Sequence, residues 1–320
     1  MYKSKDIFRS YKIYCYFCFM KKSILYMLTL CFLVGCGKSY EEQKRITKAE
    51  RDRLHQEDLR ALHVAVLPTL DCMPLLVAKE REMYDTARLD FRPRFFHAQM
   101  DCDTAFTGRS VEGMVSDLVR TERIRREGTE VSYLTSTNAY WQLLSNPKAR
   151  LKRIDQLGDK MVAMTRYSVT DRLTDLALKN QKLSSIVFRV QVNDVFVRLD
   201  MLRNNEMDAM WLTEPLATVA RTMSAPVLFD TRKDDLRMGV IVFRGDVMKD
   251  KRRQGQVKEL EKAYNAACDS LNRFGLAHYQ DIMEKYYKMD AKTVKKIPSM
   301  RFNRITKPRS SDIDAANKKD

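Results

Sequence analysis

Histidine and long apolar stretches are scarce in this 320-residue chain, and each scarcity excludes a class of protein. The four histidines, His55, His63, His97 and His278, are scattered, and no pair has the spacing of two metal ligands on a helix. We therefore predict no metal and no cofactor. The apolar run near the N-terminus is shorter than the roughly 20 residues that a transmembrane helix needs.

Basic residues outnumber acidic ones, and the formal net charge is +16. The charges are dispersed along the chain, and no nucleic-acid-binding motif is present, so we predict no nucleic-acid partner. A basic surface that lies near anionic lipid or glycan explains the charge more simply.

The segment from Met20 to Cys36 has the layout of a secretory signal. Lys21 and Lys22 precede a short apolar run, and small residues follow it. The ending Leu33-Val34-Gly35-Cys36 resembles the lipobox of bacterial lipoproteins. That resemblance implies that residues 1–35 are a lipoprotein signal peptide and that Cys36 carries the lipid. The alternative to a lipoprotein signal peptide is an uncleaved anchor with a chance cysteine. Met20 is the expected translation start.

Two expectations follow from a lipid-modified Cys36. The mature protein belongs to the cell envelope, held to a membrane on its periplasmic face or on the outer-membrane surface. The polar, highly charged residues 36–58 form a tether, which we expect to be partly helical. Cys72, Cys102 and Cys268 then leave at least one thiol unpaired, with a Cys72–Cys102 disulfide as the alternative to three buried free thiols.

Strand-like and helix-like segments alternate along the rest of the chain, which predicts an α/β fold. The strands are predicted at 62–67, 89–96, 111–115, 131–135, 161–165, 186–190, 207–211, 226–229 and 238–243. The helices are predicted from Pro74, at 104–107, after Ser168, at 195–202, from Glu214, at 256–272 and at 279–287. The strand near Val64 precedes the one near Met161 by 97 positions, and the strands that begin at Val111 and Met207 are 96 apart. This spacing predicts two α/β lobes of similar plan.

Four segments resemble the solute-binding proteins of ABC importers, in the branch that includes nitrate, sulfonate, taurine and thiamine-pyrimidine binders. The segments are 75–84 (LLVAKEREMY), 154–163 (IDQLGDKMVA), 202–215 (LRNNEMDAMWLTEP) and 297–313. Glu82 and Asn204-Asn205 depart from the pattern, since the family often has glycine at these positions. The resemblance covers roughly residues 60–314.

The resemblance implies the periplasmic binding protein type 2 fold, with two Rossmann-like lobes joined by two crossover segments. Lobe 1 would comprise residues 59–136 and 237–320, and lobe 2 residues 137–236. Solute-binding proteins of this kind capture a small molecule between the lobes and deliver it to an ABC permease in the inner membrane. The implied ligand is small and polar or anionic, for example sulfonate-, nitrate- or pyrimidine-like.

Ligands of open α/β sheets bind outside the carboxyl ends of the strands, where helix N-termini offer free N–H groups. Trp211 and Tyr167 are suited to stack on a flat ligand, and Arg109 or Arg166 to pair with an acid. The alternatives are helix capping for Asp71 and Ser168, a core position for Trp211 and a helix start at Glu214. The predicted ligand-binding residues are Thr69, Asp71, Arg109, Ser136, Thr137, Arg166, Tyr167, Ser168, Asn193, Trp211 and Glu214.

We find no paired nucleophile and base in the sequence, and we therefore expect a binding protein rather than an enzyme. Two alternatives stay open. One is a surface lipoprotein of the same fold that binds a protein or a glycan. The other is an enzyme similar to a thiamine-precursor synthase, although the scattered histidines speak against it.

Overall fold

A computed structural model describes residues 48–318 of the chain. The predicted signal peptide, the predicted lipid-attachment site Cys36 and residues 36–47 of the predicted tether lie outside the described residues. No described helix is both long enough and apolar enough to cross a bilayer.

Ten β-strands and eleven α-helices follow one another along the described chain. The strands are β1 (Leu62–Val66), β2 (Phe91–Phe95), β3 (Gly113–Asp117), β4 (Val131–Ser136), β5 (Gln142–Ser145), β6 (Met161–Met164), β7 (Phe188–Gln191), β8 (Ala209–Leu212), β9 (Val227–Asp230) and β10 (Gly239–Arg244). The helices are α1 (Lys48–Arg60), α2 (Met73–Glu80), α3 (Gln99–Thr107), α4 (Leu118–Arg126), α5 (Val169–Leu178), α6 (Val195–Arg203), α7 (Leu216–Thr222), α8 (Lys251–Phe274), α9 (Gln280–Tyr287), α10 (Ala291–Val294) and α11 (Ser310–Asn317).

The strands form two five-stranded sheets with the same plan. The first has the order β2-β1-β3-β10-β4 and the second the order β7-β6-β8-β5-β9. In each sheet the first three strands are parallel, and the fourth runs antiparallel to both of its neighbours. β1 and β6 are therefore equivalent, as are β3 and β8, which is what the internal spacing of the sequence predicts.

The chain passes twice between the sheets. It leaves the first sheet after β4 and enters the second at β5, and it returns from β9 to β10. The predicted fold class of two Rossmann-like lobes joined by two crossover segments is thus confirmed. We refer to the part that carries the first sheet as lobe 1 and to the part that carries the second as lobe 2.

Sequence patterns explain why the central strands are buried on both faces. β1 reads LHVAV and is buried at every position, as expected for a parallel strand with helices on either side. β10 is equally buried along GVIVFR. The helix α2 begins with Pro74 in its first turn, where a missing backbone N–H costs nothing.

The C-terminal segment belongs to the first lobe. The backbone N–H and the hydroxyl of Ser136, at the end of β4, both donate to the carbonyl of Thr306, at 2.7 and 3.1 Å. Farther on, Arg309 donates to the carboxylate of Asp235 in the second crossover at 2.7 Å. The tail therefore contacts the chain next to both crossovers.

Helix α1 covers the whole described part of the predicted tether, residues 48–58. Its side chains are mostly exposed, and an exposed ion pair joins Arg53 to Glu57 one turn apart, at 2.9 Å. It forms part of a separate compact unit that ends at Arg60.

Candidate functional site

A partly open cavity lies between the two lobes. Most of its lining lies at or just after the carboxyl ends of six parallel strands, three in each lobe, as expected for ligand sites of open α/β sheets, and the first crossover adds Ala139 and Trp141. The helices α3, α4, α5 and α6 all begin at or next to this wall. The lining residues are Leu67, Thr69, Asp71, Gln99, Val115, Ser116, Asp117, Ala139, Trp141, Thr165, Ser168, Val169, Thr170, Asn193, Val195, Arg198 and Thr213.

The cavity has a volume of about 80 Å³. Pockets for drug-sized ligands occupy roughly 300–1,000 Å³, so this space suits a much smaller molecule. The lobes touch on either side of it: the N–H of Leu70 donates to the carbonyl of Glu214 at 2.9 Å, and Ala98 forms a bridge with Asp194.

Four of the predicted ligand residues line the cavity, namely Thr69, Asp71, Ser168 and Asn193. A fifth, Thr137, donates its hydroxyl to Asp71 at 3.1 Å. Burial raises the pKa of Asp71 above its ordinary value. Thr69, Asp71 and Thr137 thus form one polar corner on lobe 1.

Ser168 caps a helix, as the sequence-based alternative predicts, and it also lines the cavity. Its hydroxyl accepts from the N–H of Thr170 at 3.1 Å and so caps α5. The same hydroxyl donates to the carbonyl of Thr165 at 2.6 Å. The cap lies on the cavity wall, where it orients the N-terminus of the helix toward the enclosed space.

Arg166 and Tyr167 precede that cap, but they do not line the cavity. Both side chains are exposed, and Tyr167 has a positive φ of 58°. The guanidinium of Arg123 in lobe 1 lies 5.7 Å from the centre of the Tyr167 ring. This pair spans the two lobes at the surface and is placed for a cation–π contact.

Arg109 lies at the other edge of its sheet, because it precedes β3 rather than following it. Its nearest acid is Asp246, at 3.4 Å, and the side chain is largely exposed. Ser136 is bound to the tail through Thr306, as described above. Neither residue reaches the cavity.

Trp211 is completely buried in the core of lobe 2. Its indole N–H donates to the hydroxyl of Thr174 at 2.8 Å, and its ring packs edge-on against Phe229 with 5.8 Å between centroids. The sequence-based alternative of a core position describes this geometry. The other tryptophan of the chain, Trp141, lies on the cavity wall and half-buried instead.

Glu214 is buried and fully engaged within the protein. Its carboxylate accepts from the hydroxyl of Tyr140 at 2.6 Å, from Arg221 at 2.6 Å and from the N–H of Thr218 at 3.0 Å. The side chain joins the first crossover to the start of α7. It does not line the cavity.

Sequence reasoning missed Asp117, which terminates β3 and lies on the cavity wall. Its Oδ1 accepts from the N–H of Arg120 at 2.9 Å and from the N–H of Val169 at 3.2 Å. One carboxylate oxygen therefore caps α4 in its own lobe and contacts the N-terminus of α5 in the other. Burial raises the pKa of Asp117 to about 6, although Arg120 opposes that shift.

Sequence reasoning also missed Arg198, which lies on α6 and is 3% exposed. It donates to the carbonyl of Val192 at 2.6 Å, to the carbonyl of Trp211 at 3.0 Å and to the hydroxyl of Thr165. Burial lowers the pKa of Arg198 to about 10. A signal was present, since Arg198 is flanked by apolar residues in VFVRLDML and helical spacing places it beside the buried Leu199 and Leu202.

Metal ligands do not cluster in the part of the chain from 48 to 318, where no group of three histidine, cysteine, aspartate or glutamate side chains is arranged to hold an ion. Cys72, Cys102 and Cys268 are buried free thiols, and burial raises the pKa of each. Thiols of this kind are unreactive packing residues.

No family model and no curated protein matches this chain by sequence. Solved structures match it well in fold, and the architecture is that of the periplasmic binding proteins. One is the ligand-binding component of an ABC-type import system from Staphylococcus aureus with zinc bound, at a TM-score of 0.66 and 13% identity, covering 80% of this chain and 89% of that one.

Two further structures are named for their ligands. The alkanesulfonate-binding protein SsuA from Xanthomonas axonopodis pv. citri, bound to MOPS, has a TM-score of 0.65 and 16% identity, with 79% of this chain and 88% of that one covered. The periplasmic nitrate-binding protein NrtA from Synechocystis PCC 6803 has a TM-score of 0.61 and 17% identity, with coverages of 73% and 68%. At these identities the likeness establishes the fold, and function has to be argued from the site.

Proposed function

We propose that this protein is the lipid-anchored solute-binding component of an ABC importer and that it captures a small polar or anionic organic molecule between its lobes. The observation that carries the proposal is the small cavity between the lobes, which both lobes line at the carboxyl ends of parallel strands. Three solved structures of the same fold support it. One is named as the ligand-binding component of an importer, and the other two as an alkanesulfonate-binding and a nitrate-binding protein.

Capture by hinge closure accounts for the contacts between the lobes. The N–H of Val169 in lobe 2 donates to Asp117 in lobe 1, and the N–H of Leu70 in lobe 1 donates to Glu214 in lobe 2. Each contact is a single hydrogen bond that opening would break. Two crossovers that act as hinges would allow this opening while the lobes remain rigid.

Among the residues predicted from sequence, we propose ligand contacts for Thr69, Asp71, Ser168 and Asn193, which line the cavity, with Thr137 orienting Asp71. Asp117 and Arg198 complete the set on opposite lobes. We infer no catalytic role for any of these groups, because capture and release need none.

Lipid attachment at Cys36 and a location in the cell envelope complete the proposal. A membrane-held binding protein stays close to its permease, and the lobes would reach it from a charged tether of residues 36–58. Labelling of cells with a radioactive or clickable fatty acid tests the anchor: the wild-type chain should be labelled and Cys36→Ser should not. Label that persists in the Cys36→Ser variant would contradict lipid attachment at this position.

A thermal-shift screen of the purified full-length chain in detergent tests the function. The screen should include organic anions, amines, amino acids and pyrimidines. We expect at least one small molecule to raise the melting temperature in proportion to the logarithm of its concentration, because a ligand that binds only the folded state stabilises it. A complete lack of stabilisers, together with binding of a protein or glycan, would instead favour a surface lipoprotein.

A further inference from the structure

Two side chains of opposite charge line the cavity from opposite lobes. Asp117 ends β3 in lobe 1, and Arg198 lies on α6 in lobe 2. Both are buried, at 4% and 3% exposure. No ion pair joins them within the described part of the chain, so neither neutralises the other across the cavity.

Asp117 has one carboxylate oxygen to spare. Oδ1 accepts both protein hydrogen bonds, from the N–H groups of Arg120 and Val169. Within the described residues Oδ2 accepts no hydrogen bond. It is also not one of the unpartnered side-chain atoms that are shielded from solvent. Because Asp117 lines the cavity, this oxygen is open to whatever occupies it.

Arg198 has unused donors and an uncompensated charge. A guanidinium carries five N–H donors, and three of them go to Val192, Trp211 and Thr165. Residues 48–318 provide no carboxylate within ion-pair distance of this side chain, and its closest electrostatic partner is Asp194 at longer range. A buried cation without a counter-ion is strongly unfavourable, so an anionic group from outside the protein would stabilise it.

The second acid of the cavity, Asp71, is already engaged. Its carboxylate accepts from the hydroxyl of Thr137 at 3.1 Å, and hydrogen bonds from the side chain of Thr69 and from the backbone of Asp71 and Cys72 act on it as well. Asp117 and Arg198 are therefore the two charged groups of the wall with hydrogen-bonding capacity left over. A purely anionic ligand would satisfy Arg198 but would leave the free oxygen of Asp117 facing negative charge.

We propose that the ligand is a small zwitterion, with its ammonium group on Asp117 and its acidic group on Arg198. This inference rests on the proposed capture function and narrows its ligand class. The volume of about 80 Å³ limits the molecule to a short backbone between the two charges. A ligand of this kind would join the lobes through its two ends and so stabilise the closed form.

Isothermal titration of the full-length chain with matched compounds tests the inference without any mutation. The zwitterions are β-alanine and 2-aminoethanesulfonate. Propionate and ethanesulfonate lack only the amine, and ethylamine lacks only the acid. We expect measurable binding of at least one zwitterion and at least tenfold weaker binding of every compound that lacks one charge.

Two substitutions then test which residue binds each charged group of the ligand. Asp117→Asn keeps an oxygen that can accept from Val169 and Arg120, but it removes the negative charge, so the preference for the zwitterion over its amine-free partner should disappear. Arg198→Gln should remove the preference over ethylamine. Asp250→Asn is the matched control, since Asp250 caps α8 away from the cavity and should leave both preferences unchanged.

The outcomes separate the two levels of the proposal. Equal or tighter binding of the amine-free or acid-free compounds contradicts the proposal of a zwitterionic ligand. It leaves the proposed capture function standing. Unchanged preferences in Asp117→Asn and Arg198→Gln overturn the assignment of the ends. If none of these compounds binds, the zwitterion inference fails, and only a lack of any stabiliser in the broader screen removes the capture function with it.

Discussion

Each lobe buries one arginine close to the cavity. One of them lacks hydrogen-bond acceptors, and the other lacks a carboxylate to pair with its charge. Arg120 in lobe 1 is paired with the carboxylate of Asp103, but its Nε and Nη1 are buried without hydrogen-bond partners. Arg198 in lobe 2 has protein acceptors at Nε, Nη1 and Nη2, but no carboxylate. Arg120 is therefore compensated in charge, whereas each guanidinium nitrogen of Arg198 has an acceptor but its charge has no counter-ion.

The difference separates a structural arginine from a ligand-binding one. The charge of Arg120 is neutralised inside the protein, so the residue belongs to the core of lobe 1. The charge of Arg198 is not neutralised, and the residue lines a cavity that both lobes enclose. A buried charge that the protein leaves unpaired beside a cavity indicates where a ligand charge belongs.

The largest effect is expected for Asp103→Ala, which should lower the free energy of unfolding. Removing one partner of a buried ion pair leaves an uncompensated charge and typically costs about 3–5 kcal/mol. We expect urea denaturation to show a loss of unfolding free energy in that range. Asp155→Ala breaks an exposed pair with Arg153 and should leave the midpoint unchanged. Similar midpoints for the two variants would contradict the structural role of the Asp103–Arg120 pair.

Arg198→Gln should have its main effect on ligand affinity. Loss of a buried charge contact costs about 2 kcal/mol or more, which corresponds to roughly thirtyfold weaker binding. Isothermal titration with the best compound of the screen measures it. Arg153→Gln, an exposed arginine of the same lobe, is the control. If Arg198→Gln binds the compound as tightly as the wild type does, Arg198 is not a ligand-binding residue.

The pKa of Asp117, about 6, predicts opposite pH trends for folding and for binding. This folded-state pKa lies above the ordinary value, so the native state holds more protons than the unfolded state between about pH 4 and pH 6. Asp117 therefore costs stability above about pH 6, and that cost disappears as the pH falls toward 4. The wild type should gain stability relative to Asp117→Asn over this window.

Binding should follow the reverse trend. An ammonium group on Asp117 needs the ionised carboxylate, so zwitterion affinity should fall below pH 6 by up to tenfold per pH unit, about 1.4 kcal/mol. The charges that face Asp117 are Arg120 and Asp103, with Tyr133 farther away on β4 and Asp71 and Arg198 on the same cavity wall. Affinity independent of pH between 4 and 7 would contradict contact with this carboxylate.

The smallest effect concerns the helix that faces Asp117. Ser168→Ala removes the cap of α5 and should cost about 1 kcal/mol of unfolding free energy. Ser168→Thr retains a hydroxyl and should recover most of that loss. Calorimetric melting of both variants measures the difference, and equal losses in the two would argue against capping as the origin.

Much of the fold was predictable because it depends on local patterns. The repeat of 97 positions between Val64 and Met161 predicted two similar lobes, and β1 and β6 have the equivalent central positions that this requires. The short strand β5 and the helix α4 were not predicted. The apolar pattern of β5 is only four residues long, and α4 reads LVRTERIRR, whose charges hide its single buried face.

The site was harder to predict than the fold. Polar residues next to predicted strands are the candidates that the sequence offers for ligand contacts. This rule selects Thr69, Asp71 and Asn193, which line the cavity, but also Arg109, which lies at the opposite edge of the sheet. Asp117 and Arg198 were missed because each lies in an apolar stretch that reads as core. Their importance depends on which charges the tertiary fold leaves unpaired, and no local pattern contains that information.

The two tryptophans offer the most direct measurement of ligand capture, since Trp141 lines the cavity and Trp211 is sealed in the core of lobe 2. In the Trp211→Phe variant, Trp141 is the only tryptophan, so the tryptophan fluorescence reports on the cavity wall. Titration with the best stabiliser should change its fluorescence in a saturable way, with the dissociation constant found by calorimetry. The Trp141→Phe variant should show no comparable change. A response confined to Trp211, or none in either variant while heat is released, would contradict binding in the cavity between the lobes.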